Sequence, residues 1–264
     1  MDATVVLSLL VLSHIVTDFM WQDDVIAEGK KTCFKIMLQH IKHYLVANVV
    51  LLSAYLHSDN HLWWVIIVLS LAHWGIDKCK VEYDKKNKSK GLESFFVDQI
   101  THLILIGACY LFIKDIHINP LAHTIGSLIG SNYPIFVHLT KENAFIGIVI
   151  LTGYIFNFKG ATYITKKVLA KYLPSKDKDK YVLKEEEGIK NAGEAIGNLE
   201  RILILTLVLQ QNYITIGVVL AGKTLARYKK LDEKNFAEYF LIGSFTSIIV
   251  AFLTGAFIKA IINL

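Results

Sequence analysis

The sequence predicts an all-α membrane protein, a helical bundle crossing the bilayer about eight times. Three observations carry this reading. The 264 residues are 53% hydrophobic and only 19% charged, with a mean hydropathy of +0.43, above what a water-soluble domain usually carries. The apolar residues fall into runs of about twenty, the length that spans a hydrocarbon core at helical rise, and alternating strand patterns are absent. The basic residues crowd into every second connection between those runs.

In chain order, the expected spans are Thr4 to Trp21, Ile36 to His57, Leu62 to Cys79, Ser94 to Lys114, Asn143 to Ala161, Ala195 to Gln211, Tyr213 to Tyr228 and Glu238 to Leu264. Lys30, Lys31 and Lys35 lie in the first connection, and Lys78, Lys80, Lys85, Lys86, Lys88 and Lys90 in the third. The fifth holds nine lysines from Lys159 to Lys190, and the seventh holds Arg227, Lys229, Lys230 and Lys234. The intervening connections hold only Lys114 and Lys141. Positively charged loops are retained in the cytoplasm, so both termini are expected outside. One missing or extra helix would break the alternation. The stretch 115–142, interrupted by Pro120, Pro134 and several glycines, reads as a re-entrant or surface-lying outer segment.

One membrane domain, 1–264, is expected. It comprises helices one to five over 1–162, a charged cytoplasmic connection over 163–193, and helices six to eight over 194–264. Met1-Asp2 leads straight into the first apolar run without a basic start, so that run reads as retained, not as a signal peptide. Cys33, Cys79 and Cys109 have neither pairing pattern nor CxxC spacing, which argues against a disulfide framework or a thiolate zinc knuckle. Topology accounts for the formal charge of +5. Anionic inner-leaflet lipid is therefore the expected partner, and direct nucleic-acid binding is not expected. Oligomeric state is not legible.

The chemistry-bearing signal is a set of ionisable residues inside the spans. HIVTDF sets His14 and Asp18 one helical turn apart; HWGID does the same for His73 and Asp77, and DQITH for Asp98 and His102. The second span adds His40 and His43. Read in alternate directions, these helices bring all the groups to one depth near the cytoplasmic side. Hydrocarbon cannot solvate them, so they are expected to share a polar pocket. Imidazole with carboxylate suits Zn, Mn or Fe, and inward-facing His and acid pairs on several helices are how bundles hold metals. His14, Asp18, His73, Asp77, Asp98 and His102 are the expected ligands, with His14, Asp18, His40 and Asp98 as catalytic groups. The plain alternative is His-to-Asp hydrogen bonds that fasten helices without a metal. His57, His61, His117, His123 and His138 lie at outer connections and read as interfacial.

A second polar set lies at the same expected depth. Glu194, Glu200 and Arg201 begin the sixth span, Lys223 and Arg227 end the seventh, and Glu238 begins the eighth. It reads either as an internal ion-pair lattice or as a cationic clamp. In the clamp, Arg201, Lys223 and Arg227, with Glu200, hold a phosphate or carboxylate, and Ser244 and Thr246 add hydroxyl donors.

At HIVTDFMWQ, His40, HWGID and DQITH, and again at IGNLER, GKTLARY and AEYFLIGSFTS, the chain resembles a bacterial family known only as domain of unknown function 3307. The resemblance implies a multi-pass protein of the bacterial inner membrane with no settled activity. It also brings in Gln22 and Gln99, beside the first and fourth motifs, as amide donors near the pocket.

The leading expectation is a membrane-embedded, metal-dependent hydrolase or transferase acting at the cytoplasmic face on a phosphate-containing lipid or nucleotide. No Walker loop, nucleophile elbow or HExxH pattern is present. The alternatives are a proton or divalent-metal transporter, and a structural or signalling subunit. TVVLSLLV and LWWVIIVLS, the outer halves of the first and third spans, offer only serine and threonine as polar residues. That favours a one-sided site over a path across the membrane.

Overall fold

A computed structural model describes residues 1–57, 61–87, 91–133, 140–172 and 192–263. His138 and residues 173–191 of the charged connection 163–193 lie outside the described residues. Among those described, every regular element is helical. The chain divides into two compact units, Met1–Thr152 and Gly153–Leu264.

In the first unit, α1 (Asp2–Ile15) ends in a π-helical turn, Val16–Met20. It is followed by α2 (Asp24–Gly29), α3 (Phe34–Leu51), α4 (Leu62–Lys86), α5 (Gly91–Ala108), α6 (Tyr110–Ile113) and α7 (Pro120–Asn132). The last helix, α8 (Lys141–Ile155), continues through a second π-helical turn, Phe156–Gly160, into the second unit. A helix that is apolar all round belongs in a core, and α1 is the core here. Val5, Val6, Leu10, Tyr44, Leu62, Ile66, Leu69, Ile106 and Ile113 form one buried cluster around it. The short α2 starts where the Asp23 side chain accepts from the Ile26 amide at 2.8 Å, a cap of about 1 kcal/mol. That cap folds the chain back beneath the end of α1.

The second unit holds α9 (Ala161–Tyr172), α10 (Ala192–Leu209), α11 (Tyr213–Ala226) and α12 (Lys234–Ile262). Ile204, Leu207, Val208, Ile216 and Ala251 form its apolar cluster. The approach of α10 to α12 depends on Gly255, where a Cβ would sit 2.6 Å from Val208 Cγ1. Small residues serve membrane helices in this way.

Five helical segments are long and apolar enough to cross a membrane: Asp2–Met20, Leu62–Lys86, Gly91–Ile113, Lys141–Tyr172 and Lys234–Ile262. The other three expected spans fall on α3, α10 and α11. The first carries Lys35, Lys42 and two histidines, and the second carries Glu194, Glu200 and Arg201. The third is apolar but only 14 residues long. The second expected span, drawn to His57, is helical only to Leu51. The fifth, drawn to Ala161, runs on to Tyr172.

The outer segment contains α7, a helix with no buried residue. At about 20 Å it is too short for a span. Asn119 starts it, accepting from the Ala122 amide at 2.7 Å and donating to the carbonyls of Ser53 and Leu56 at 2.9 and 3.0 Å.

Candidate metal centre

The first unit gathers the turn-spaced His and Asp pairs and His40 into one buried cluster. His14 and Asp18 come from α1 and its π turn, His40 from α3, His73 and Asp77 from α4, and Asp98 and His102 from α5; all are buried. The π turn places Asp18. By widening one turn, it aims the carboxylate at two histidines on other helices as well as at His14. Such turns recur at functional positions.

The tightest part of the cluster is a triangle. His40 Nε2 and His73 Nε2 face each other at 3.1 Å, and each lies 3.4 Å from Asp18 Oδ1. A triangle with those sides has a circumscribed radius of about 1.9 Å. A point about 2.0–2.1 Å from all three atoms, the usual zinc bond length, therefore lies just off its plane. Asp77 Oδ2 is 3.3 Å from His40 Nε2 and adds a fourth donor atom at the edge. A second group, Asp77, Asp98 and His102, offers three ligand atoms within 4.8 Å of one another, as does a third, His14, His73 and His102.

Hydrogen bonding decides which nitrogens hold a lone pair. The Gln99 amide nitrogen faces two carboxylates, Asp18 Oδ2 at 3.0 Å and Asp98 Oδ2 at 3.2 Å, and must donate to both. Its oxygen is thereby turned toward His14 Nε2 at 3.2 Å, so His14 donates through that nitrogen. In this arrangement His14 holds Gln99, and Gln99 holds Asp18. His102 has the opposite polarity. Its Nδ1 donates to the Asp98 carbonyl at 2.9 Å, leaving Nε2 with a free lone pair, buried and without a hydrogen-bond partner among the described residues. That pattern suits a metal ligand, because a backbone acceptor fixes the tautomer.

Facing Nε2 atoms at 3.1 Å require either one proton between them or a shared cation. Nδ1 of both His40 and His73 lacks a hydrogen-bond partner among the described residues. Packing fixes the His73 ring instead, with Tyr44 stacked on it at 4.4 Å. Among the described residues, Asp18, Asp77 and Asp98 also each keep one buried oxygen without a hydrogen-bond donor. An unsatisfied buried polar atom costs about 1–3 kcal/mol, and one cation could satisfy several of these together.

Two lysines complete the cluster, both unread as site residues in the sequence, where they count only as loop charges. Lys30, carried in by the turn after α2, donates to Asp77 Oδ2 at 2.9 Å and to Gln22 Oε1 at 2.6 Å. Lys80 donates to Asp98 Oδ2 at 2.6 Å. Its spacing of three from Asp77 on one helix was the available signal; for Lys30, no local signal exists. With neutral imidazoles, three carboxylates and two lysines leave one net negative charge, which a divalent cation would reverse. His43 stays outside the cluster, edge-on to Trp21.

Toward the N-terminal end of α1 the cluster meets a dry core. Ser8 and Ser70 hydroxyls are used on their own helices, bonding the carbonyls of Val5 and Ile66. The next ionic group is Asp2, bonded to Lys141 at 2.6 Å. It lies twelve residues, or about 18 Å, from His14 along α1.

The second polar set lies in the second unit. Arg201 is 3% exposed. It donates to the Asn157 carbonyl at 2.9 Å, Ser247 Oγ at 2.8 Å, Asn198 Oδ1 at 2.5 Å, and Thr162 Oγ1. Lys223 pairs with Glu200 at 2.5 Å, and Glu194 with Lys166 at 2.8 Å. Arg227 is half-buried at the end of α11, Ser244 is buried, and Glu238 is exposed.

No curated protein and no solved structure matches the chain. A family match covers the first half, and the motifs IGNLER, GKTLARY and AEYFLIGSFTS lie beyond it. Residues 6–126, which hold every member of the His and Asp cluster, match the family described as Protein of unknown function (DUF3307).

Proposed function

We propose that the chain is a membrane-embedded, metal-dependent hydrolase or transferase acting on a phosphate-containing substrate at the cytoplasmic face of the bacterial inner membrane. In this reading it crosses the bilayer eight times with both termini outside. The observation that carries the proposal is the triangle of His40 Nε2, His73 Nε2 and Asp18 Oδ1, whose sides accommodate one divalent Zn, Mn or Fe ion. Asp77 and His102 are the next donors.

A bound divalent metal supplies a polarised phosphoryl oxygen and an acidified water. The chain's own residues do the rest. Asp98, with one oxygen on Lys80 and one free, takes the proton from the attacking water as its oxygen bonds phosphorus and the ester oxygen leaves with a proton from solvent. Lys30 and Lys80 offset carboxylate charge so that an anion can approach. His14 and Gln99 keep Asp18 in place.

Metal or proton transport is the second reading. It needs a polar path through the dry stretch between His14 and Asp2, and the buried apolar packing there favours a one-sided site. A purely structural role is the third.

The test is metal titration and elemental analysis of detergent-purified wild type, His73→Ala and His40→Ala, matched for monodispersity. Phosphate release by the metal-loaded protein is measured alongside on lipid phosphates and nucleotides. Wild type should bind about one ion, and each variant should bind at least about a hundredfold more weakly while staying folded. Affinity should fall as pH drops through the imidazole range, because protons compete for the ligand nitrogens. A wild type that binds no metal, or variants that lose stability without losing metal, would overturn the proposal.

A further inference from the structure

A groove of about 760 Å³ runs between α4 and α5 and ends at the cluster. Its walls are mainly apolar, with Ala72, Gly75 and Ile76 from one helix and Val97 and Leu105 from the other. Its far end carries Lys80, Glu93 and Asp98. Asp98 is also a member of the three-donor group with Asp77 and His102, so one residue belongs to both the groove wall and the candidate metal centre. Between Ala72 and Tyr83 the groove follows α4 for about 16 Å, half of a hydrocarbon core of about 30 Å. One leaflet has that depth.

Gly75 gives the groove its form. A helical glycine is usually explained by a close neighbour, yet a Cβ built here meets nothing within 4 Å. It opens space without bringing helices together. On the opposite wall Val97 is 64% exposed, so the groove is open along its flank. Thr101 spends its hydroxyl on the Val97 carbonyl at 2.7 Å. The polar end adjoins the last turns of α4, which carry Lys78, Lys80, Lys85 and Lys86 beside Asp77, Glu82 and Asp84.

We infer that this groove is a lateral entry for a phospholipid, with an acyl chain lying along Gly75 and the phosphate at Lys80 beside Asp98. The inference rests on the proposed phosphate chemistry and narrows its substrate to a lipid of the cytoplasmic leaflet. A nucleotide would leave the apolar length of the groove unused. An acyl chain fills it, each methylene contributing favourable burial, and Lys80 offers a phosphate one cation at the polar end.

Full-length wild type, Gly75→Leu and Gly107→Leu are loaded with dioleoyl phosphatidylglycerol and delipidated stepwise under native mass spectrometry. Gly107 is the control, because a Cβ there also meets nothing within 4 Å and it lies outside the groove. Wild type and Gly107→Leu should hold one lipid per chain, and Gly75→Leu should retain it at least about tenfold more weakly. Val97→Trp, which fills the groove from its exposed wall, should match Gly75→Leu and stands in if that variant is not monodisperse.

Equal retention in all variants would reduce the groove to ordinary lipid-facing surface and overturn the inference. So would displacement of the lipid by glycerol 3-phosphate alone, or a dimer that Gly75→Leu dissociates. Metal content is measured on the same samples. A full complement of metal with equal lipid retention sinks the groove alone. Lipid retention that depends on Gly75 without bound metal sinks the metal reading and leaves the groove standing.

Discussion

The two units bury polar groups in opposite ways. In the second, Arg201 is surrounded by acceptors from Asn157, Thr162, Asn198 and Ser247, so nearly all of its N–H groups are spent. In the first, three carboxylates each keep a buried oxygen, and His102 a ring nitrogen, with no hydrogen-bond partner among the described residues. A network that satisfies itself fastens helices. One that leaves several like acceptors turned inward has the donor set the proposed cation would use. Both units use a π-helical turn to aim the key residue, Asp18 in one and Asn157 in the other, so the backbone device is shared and the chemistry is not.

That contrast can be broken experimentally. The largest effect is expected at Arg201. Arg201→Ala removes the donors to the Asn157 carbonyl, Asn198 Oδ1 and Ser247 Oγ and should destabilise the protein by about 3 kcal/mol or more, without changing metal content. Thermal unfolding paired with elemental analysis reads both. Loss of metal with unchanged stability would make Arg201 part of the site and erase the distinction. Next is Gln99→Leu, which removes the amide between His14 and Asp18. Metal affinity should fall about 10- to 100-fold, as outer-shell changes do, with a much smaller loss of stability. Titration that matches wild type would reduce Gln99 to a fastening residue. The smallest effect is expected at Lys223, whose pair with Glu200 is partly exposed. Lys223→Met should cost under about 1 kcal/mol and leave metal and phosphate release near wild type. A large loss of phosphate release would restore it as a substrate clamp.

Much of the first unit was legible because turn-spaced pairs in apolar runs have few solutions. HIVTDF, HWGID and DQITH had to face inward, and their alternating direction set a common depth. What could not be read was anything set by tertiary approach. Lys30 reaches Asp77 from the turn after α2, which packs against α3, and no periodicity encodes that turn. The π turn at Asp18 leaves no mark in a hydrophobic pattern of period 3.6. In the second unit the sequence offered charges but not their partners. Arg201 reads as part of an ion-pair lattice or of an anion clamp, whereas its acceptors are neutral, among them the carbonyl of Asn157, 44 residues away.

The dry stretch of α1 between His14 and Asp2 also has an electrical consequence. Set across a bilayer, about 18 Å of tightly packed hydrocarbon side chains is the insulating layer, and most of a transmembrane voltage falls there. A full crossing would involve about 2.3 kcal/mol per charge for each 100 mV. An ion entering from the end bearing Lys30 and Lys80 crosses little of that drop before it reaches His40 and His73. Occupancy of the centre would then follow the composition of the adjoining solution and remain indifferent to how strongly the membrane is energised.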